Sequence, residues 1–82
     1  MSIIYKLKKN IVGRTAANLV FNLCEAKGVR IIKKDRCFNG KSLLGILANN
    51  LEVNDEISVA IDEACDISIV KKAFQELGEE VK

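Results

Sequence analysis

The chain has 82 residues, which is enough for one small domain and too few for a second hydrophobic core. Hydrophobic residues make up 49% of it and proline is absent, so the composition excludes a disordered chain and leaves periodic segments uninterrupted. Thirteen basic and eleven acidic residues give a formal net charge of +2, which is too small to indicate binding to nucleic acid.

The cysteines and the apolar segments exclude further classes of protein. The three cysteines are widely spaced and the chain has no histidine, so we expect no metal site and no cofactor. No apolar run approaches the roughly 20 residues of a membrane span, and the N-terminus lacks the apolar segment of a signal peptide. We therefore expect a single cytoplasmic domain, residues 1–82, with reduced thiols and no membrane contact.

Hydrophobic periodicity predicts three helices and four strands. Ile3, Tyr5 and Leu7 alternate with more polar positions, as in a half-buried strand. Helical spacing recurs in the segment 14–26, where a buried stripe is predicted at Ala16, Leu19, Val20, Leu23 and Cys24. The predicted elements, in chain order, are strand 2–8, helix 14–26, strand 29–33, strand 36–38, helix 43–49, strand 56–61 and helix 66–77.

This order of elements, β-α-β-β-α-β-α, predicts the fold class. Hairpin and crossover connections between such elements favour an open antiparallel or mixed sheet with helices on one face. We therefore expect an α+β fold with a four-stranded sheet. The longer first and third helices are expected to cover its apolar face, and the short middle helix is expected to be partly exposed.

The segment before the middle helix is the strongest candidate for a functional site. Asn39 and Gly40 predict a turn, and Ser42 stands directly before an apolar run, which is the position of a helix N-cap. Ser42 is interpreted either as an ordinary cap or as a phosphorylation site. The leucines that follow it are interpreted either as core or as a partner surface, with Leu43 and Leu44 expected to be more exposed than Leu47.

Two stretches and the order of elements resemble HPr, the histidine-containing phosphocarrier protein of the bacterial sugar phosphotransferase system. The first stretch, Val12-Gly13-Arg14-Thr15-Ala16-Ala17, is similar to the active-site loop and helix start of that family. The second, Lys41-Ser42-Leu43-Leu44-Gly45, is similar to the regulatory serine motif of HPr proteins from Gram-positive bacteria. The resemblance extends over nearly the whole chain and implies an HPr-like open-faced β-sandwich.

The chain departs from the family at the residue that carries phosphate. The position matching the phosphate-accepting histidine is Val12, and the position matching the following proline is Thr15. Because valine offers no nitrogen nucleophile and the chain has no histidine, we expect no phosphohistidine. The sequence also has no paired carboxylates in a predicted pocket and no glycine-rich nucleotide loop, so we expect no catalysis. Gly13 and Arg14 remain as a candidate anion-binding loop at a helix start, the alternative being a solvated arginine beside a glycine.

The resemblance implies a histidine-less variant such as the catabolite-repression paralogue of HPr. In that subgroup a kinase phosphorylates the serine, here Ser42. The implied partners are a bifunctional HPr kinase/phosphorylase and a repressor-type transcriptional regulator, with Leu43, Leu44 and Leu47 at the contact surface. The alternative is a degenerate interaction module that keeps the fold without any phosphorylation.

Overall fold

A computed structural model describes residues 1–81 and contains five strands and three helices. Their bounds, in chain order, are β1 Ser2–Leu7, α1 Gly13–Asn22, β2 Arg30–Lys33, β3 Arg36–Asn39, α2 Leu43–Ala48, β4 Glu56–Ala60, α3 Ile67–Phe74 and β5 Gly78–Glu80. Within residues 1–81, none of the helices has the length and apolar character needed to cross a lipid bilayer.

The strands form one open antiparallel sheet in the order β3-β2-β4-β1-β5. Its register places Ile3 and Ile31 on either side of Val59, and these three side chains are almost fully buried. Side chains alternate between the two faces of a sheet, so the same register leaves Ile4 and Ser58 on the other, more exposed face. The sheet is therefore apolar on one face, as β1 alone already predicts.

The core lies on that apolar face, among the strands and the helices. The rings of Tyr5 from β1 and Phe74 from α3 stack with centroids 4.9 Å apart. Helix α1 contributes Ala16 and Leu19, which are 0% and 1% exposed. Helix α1 also packs against both α2 and α3, so the three helices support one another around a single core.

The α+β class is confirmed, but the prediction of four strands is wrong. The fifth strand, β5, pairs with β1 and lies at the edge of the sheet. The Lys8 amide donates to the Leu77 carbonyl at 2.8 Å, and the Val81 amide donates to the Ile4 carbonyl at 2.7 Å. The sequence Gly-Glu-Glu lacks the apolar alternation of a strand, so β5 forms because the open edge of β1 offers hydrogen-bonding groups.

The helices are also shorter than their periodicity predicts. Helix α1 ends at Asn22 instead of continuing to residue 26, and α3 ends at Phe74 instead of residue 77. Leu23 and Leu77 are nevertheless buried, and their amides still donate to the Leu19 and Phe74 carbonyls, at 3.0 and 3.1 Å. Cys24 is exposed in the turn after α1, so its predicted place in the buried stripe is wrong.

Candidate functional site

The turn between β3 and α2 is fixed by Asn39 and Gly40. The side-chain oxygen of Asn39 accepts a bond from the Lys41 amide at 2.8 Å, and its carbonyl accepts one from the Ser42 amide at 3.1 Å. Gly40 is buried, and a Cβ atom added to it would lie 2.8 Å from a methyl carbon of Val29. The predicted turn is therefore present, and it places Ser42 at the start of the helix.

Ser42 is the N-cap of α2. Its backbone is extended, with φ −100° and ψ 111°, and its Oγ accepts a hydrogen bond from the Gly45 amide at 3.1 Å. This bond pairs one of the amides that a helix leaves without a partner in its first turn. The Ser42 side chain is half-buried. The capping interpretation is thus confirmed, while phosphorylation of the same hydroxyl stays a prediction.

The side chains of α2 divide into one buried residue and three leucines at the surface. Ile46 is 0% exposed and anchors the helix to the core, a role that the sequence interpretation did not assign to it. Leu44 is 80% exposed, whereas Leu43 and Leu47 are 38% and 39% exposed. The expected difference between Leu43 and Leu47 is therefore absent, and Leu44 is the residue that projects most into solvent.

The junction before α1 has different chemistry. Val12 occupies the N-cap position of α1 and is 56% exposed, and its side chain has no oxygen that could accept a bond from the first turn. Gly13 has φ +53°, a left-handed conformation that glycine adopts without strain. Arg14 is exposed. Anion binding by Gly13 and Arg14 remains a prediction.

Two hydrogen bonds bring the loop before α1 next to the loop after α2. The Ile11 amide donates to the Leu51 carbonyl at 2.8 Å, and the Val53 amide donates to the side-chain oxygen of Asn10 at 2.8 Å. Val53 is 45% exposed. The exposed large apolar side chains of α2 and of these two loops are Val12, Leu43, Leu44, Leu47 and Val53, and we call this set the apolar surface.

Val53 and Val12 were missed as members of this surface. Val12 and Val53 lie in loops, where a single valine follows no helical or strand period, and hydrogen bonds between the two loops bring their segments together. The exposure of Phe21, on α1, was also not predicted. Phe21 is 75% exposed and lies outside the predicted stripe of that helix. Its position off the stripe is a signal from which the sequence could have predicted exposure.

The C-terminal end of α2 is held by an ion pair. Lys33 Nζ lies 2.8 Å from Asp55 Oδ2, and it also donates to the Asn50 carbonyl at 2.7 Å. The hydrogen bond from Lys33 is the largest cause that holds the pKa of the Asp55 carboxyl below its ordinary value. Burial opposes it, and the bond from the Glu52 amide and the charges of Lys33 and Lys34 lower this pKa by smaller amounts. The charges of Lys33 and Asp55 thus pair with each other within the domain.

Within residues 1–81, neither a metal-binding cluster nor the cavity between α1 and α3 involves Ser42 or the apolar surface. Among residues 1–81, no cluster of three or more cysteine, aspartate or glutamate side chains is arranged to hold a metal ion. A cavity of about 560 Å³ lies between α1 and α3, where its lining includes Thr15, Asn18 and Lys72. Neither Ser42 nor any residue of the apolar surface lines it.

The fold is similar to that of a solved HPr, described as HPr-C-His from Thermoanaerobacter tengcongensis. The superposition has a TM-score of 0.75 and covers 92% of this chain and 85% of that one, with 18% of the residues identical. Comparison of the sequence with protein-family models and with curated proteins finds no match. At this low identity the likeness concerns the backbone alone, and it shows that the chain has an HPr-like α+β fold.

Proposed function

We propose that this chain is a regulatory protein of the HPr type, controlled by phosphorylation of Ser42. A bifunctional HPr kinase/phosphorylase modifies the serine, and a repressor-type transcriptional regulator binds the modified form in carbon catabolite control. The protein acts in the cytoplasm, catalyses no reaction itself, and binds neither nucleic acid nor membrane directly. Sugar transport is affected only through these partners.

The observation that carries this proposal is the exposure of Leu44 next to Ser42 on an HPr-like fold. Leu44 is 80% exposed and shares the short helix with Leu43 and Leu47, which are 38% and 39% exposed, and such a group of exposed apolar side chains is typical of an interaction site. Val12 and Val53 extend the apolar character from α2 to the two adjoining loops. A phosphate on Ser42 would add up to two negative charges beside this surface, which a cationic partner can recognise.

The absence of histidine and the apolar side chain of Val12 argue against a phosphohistidine relay. No histidine occurs among the 82 residues, so no imidazole nitrogen can accept phosphate. Val12, at the matching position of the resemblance, is 56% exposed and apolar. We therefore assign Val12 to partner binding and not to phosphate transfer.

The alternative is an interaction module with this fold that is not phosphorylated at all. One observation favours it, because Ser42 Oγ is half-buried and already engaged with the Gly45 amide. A serine that serves as an N-cap has a structural reason to be present without any modification. The apolar surface would then bind a partner that does not depend on phosphate.

Intact-mass and peptide mass spectrometry separate the two functions. One sample contains an HPr kinase and ATP, and a second contains the phosphotransferase enzyme I and phosphoenolpyruvate. We expect one phosphate on Ser42 in the first sample and none in the second, and we expect Ser42→Ala to gain none in either. Absence of phosphate from both samples would leave the unmodified module, and acid-labile phosphate in the second would contradict the argument from Val12.

The role of the leucines is tested by kinase kinetics on Leu44→Ala. Loss of an apolar contact at the centre of an interface raises the KM for the protein substrate by about tenfold, with kcat little changed. Ile4→Ala is the matched control, because Ile4 is 40% exposed on the opposite face of the sheet. Equal KM values for the two variants would mean that α2 is not the docking surface.

A further inference from the structure

Lys33 lies at the end of β2, outside the apolar surface, and its side chain reaches the Asn49 and Asn50 carbonyls, directly after α2. The side chain is 17% exposed. Its ammonium group makes three contacts, with Asp55 Oδ2 at 2.8 Å, the Asn50 carbonyl at 2.7 Å and the Asn49 carbonyl at 3.4 Å. An ammonium group has three N–H donors, so these acceptors match its full capacity.

Helix α2 depends on such contacts more than a longer helix would. It has six residues, and helices of this length are not stable in water without tertiary support. Ile46 supplies its burial, Ser42 caps its first turn, and the Asn49 side chain donates to the Gly45 carbonyl at 2.7 Å. Carbonyl groups at the end of a helix carry partial negative charge, so a lysine ammonium there stabilises the terminus.

The partner of Lys33, Asp55, extends this support to the loop after α2. Asp55 Oδ2 also accepts a bond from the Glu52 amide at 2.8 Å. Two asparagines of this loop have left-handed backbones, Asn50 with φ +46° and Asn54 with φ +74°. Lys33 thus joins the central sheet both to the end of α2 and to the loop that presents Val53.

We propose that Lys33 is a positioning residue for the apolar surface. Its ammonium group bonds to Asp55 and to the Asn49 and Asn50 carbonyls, and through them it holds the helix and the loop that carry four of the five side chains of that surface. Without its ammonium group, α2 and the loop after it sample other orientations, and the partner must then order them on binding. This inference rests on the proposed function for its effect on partner binding.

Amide hydrogen exchange tests the positioning without any partner. In Lys33→Gln we expect the Ile46, Asn49 and Asn50 amides to exchange about tenfold faster. The Asn49 and Asn50 carbonyls lose hydrogen bonds from a charged group, and the backbone bonds of α2 then open more often. The amides in the paired strands β1 and β4 should keep their rates. A uniform acceleration of all amides, or none in α2, would overturn the proposal.

The control variants separate position from charge. Lys34→Gln removes the same charge from the next residue, which is exposed in the hairpin turn, and we expect no acceleration in α2. Lys33→Arg keeps the charge and several donors, so its exchange rates should return most of the way to those of the wild type. Equal acceleration in Lys33→Gln and Lys34→Gln would mean that net charge, and not position, is responsible.

Kinase kinetics connect the positioning to function. With the HPr kinase and ATP, we expect Lys33→Gln to raise the KM for the protein by about tenfold at unchanged kcat, and Lys33→Arg to restore most of the affinity. If the wild type is phosphorylated and Lys33→Gln has the same KM, the inference fails and the proposed function stands. If the wild type gains no phosphate, the proposed function fails, and the exchange experiment still decides whether Lys33 positions α2.

Discussion

The junctions that precede α1 and α2 differ in how each helix is held. Before α2, Ser42 Oγ and the Asn39 side chain each accept a backbone amide, at 3.1 and 2.8 Å. Before α1, the Val12 side chain supplies no acceptor, the Val12 carbonyl accepts the Thr15 amide at 3.1 Å, and Gly13 takes a left-handed backbone, with φ +53°. One junction is therefore built from polar side chains and the other from backbone conformation.

This difference follows from the lengths of the two helices. Helix α1 has ten residues and buries Ala16 and Leu19, so its position in the core does not require a polar cap. Helix α2 has six residues, of which Ile46 is the buried one, and local hydrogen bonds carry a larger share of its stability. Ser42 thus has a structural role whether or not it is phosphorylated, whereas the Val12 side chain caps no amide and is available for contact with a partner.

The largest expected effect comes from removing the anchor of α2. Ile46→Ala should lower the free energy of unfolding by about 2–5 kcal/mol, because it leaves a cavity where a side chain is 0% exposed. Urea denaturation measures the loss. Leu47→Ala in the same helix, where the side chain is 39% exposed, should cost clearly less. Equal losses would mean that α2 is not held mainly by Ile46.

The α1 junction is tested by substituting its glycine. Gly13→Ala should destabilise the domain by about 1–2 kcal/mol, the cost of a left-handed backbone for a residue with a Cβ atom. An added Cβ would meet no atom within 4 Å, so steric contact contributes nothing to this loss. Gly13→Asn should cost less, because asparagine tolerates this conformation. Unchanged urea midpoints would show that the junction relaxes to another conformation.

The α2 junction is tested by removing the cap. Ser42→Ala should cost about 1 kcal/mol, because the Gly45 amide loses its acceptor. Ser42→Gly should cost only roughly a few tenths of a kcal/mol, since glycine leaves that amide open to water. Thermal and urea unfolding of both variants measure the difference. If alanine and glycine are equally tolerated, the bond from Gly45 contributes little and the cap is not the reason for the serine.

The smallest expected effect is a pH-dependent change in the free energy of unfolding, and it comes from the ion pair at the C-terminal end of α2. The pKa of Asp55 is lowered from its ordinary 3.8 by the bond from Lys33, so the unfolded chain takes up this proton more readily than the folded one. The ion pair therefore contributes stability above pH 3.8, and this contribution is lost as the pH falls through the lower pKa of the folded state.

Asp55→Asn should accordingly be less stable than the wild type at neutral pH, with a difference that shrinks below pH 3.8. Urea unfolding at a series of pH values measures it. Asp66 is the N-cap of α3, and hydrogen bonds from Ser68 lower the pKa of its carboxyl, so Asp66→Asn serves as a parallel variant that reports the acid sensitivity of this cap. A difference between wild type and Asp55→Asn that does not change with pH would contradict the role of the charge.

Local patterns were sufficient to predict most of the elements. Alternation of Ile3, Tyr5 and Leu7 predicts the buried face of β1, and the position of Ser42 before an apolar run predicts the start of α2. Both depend on residues close together in the chain, whose periodicity or capping chemistry acts locally. The helix ends were less predictable, because Leu23 and Leu77 continue the apolar stripe while the chain has already turned.

The sequence by itself determined the α+β class, the turn and cap before α2, and the absence of any histidine nucleophile. The tertiary structure alone decided that β5 completes the sheet, that Ile46 is the anchor of α2, and that Lys33 reaches the end of that helix. Each of these three features depends on groups far apart in the chain, such as the edge of β1 with Gly78–Glu80. Such contacts leave no periodic signal, because they arise only when the packed elements meet.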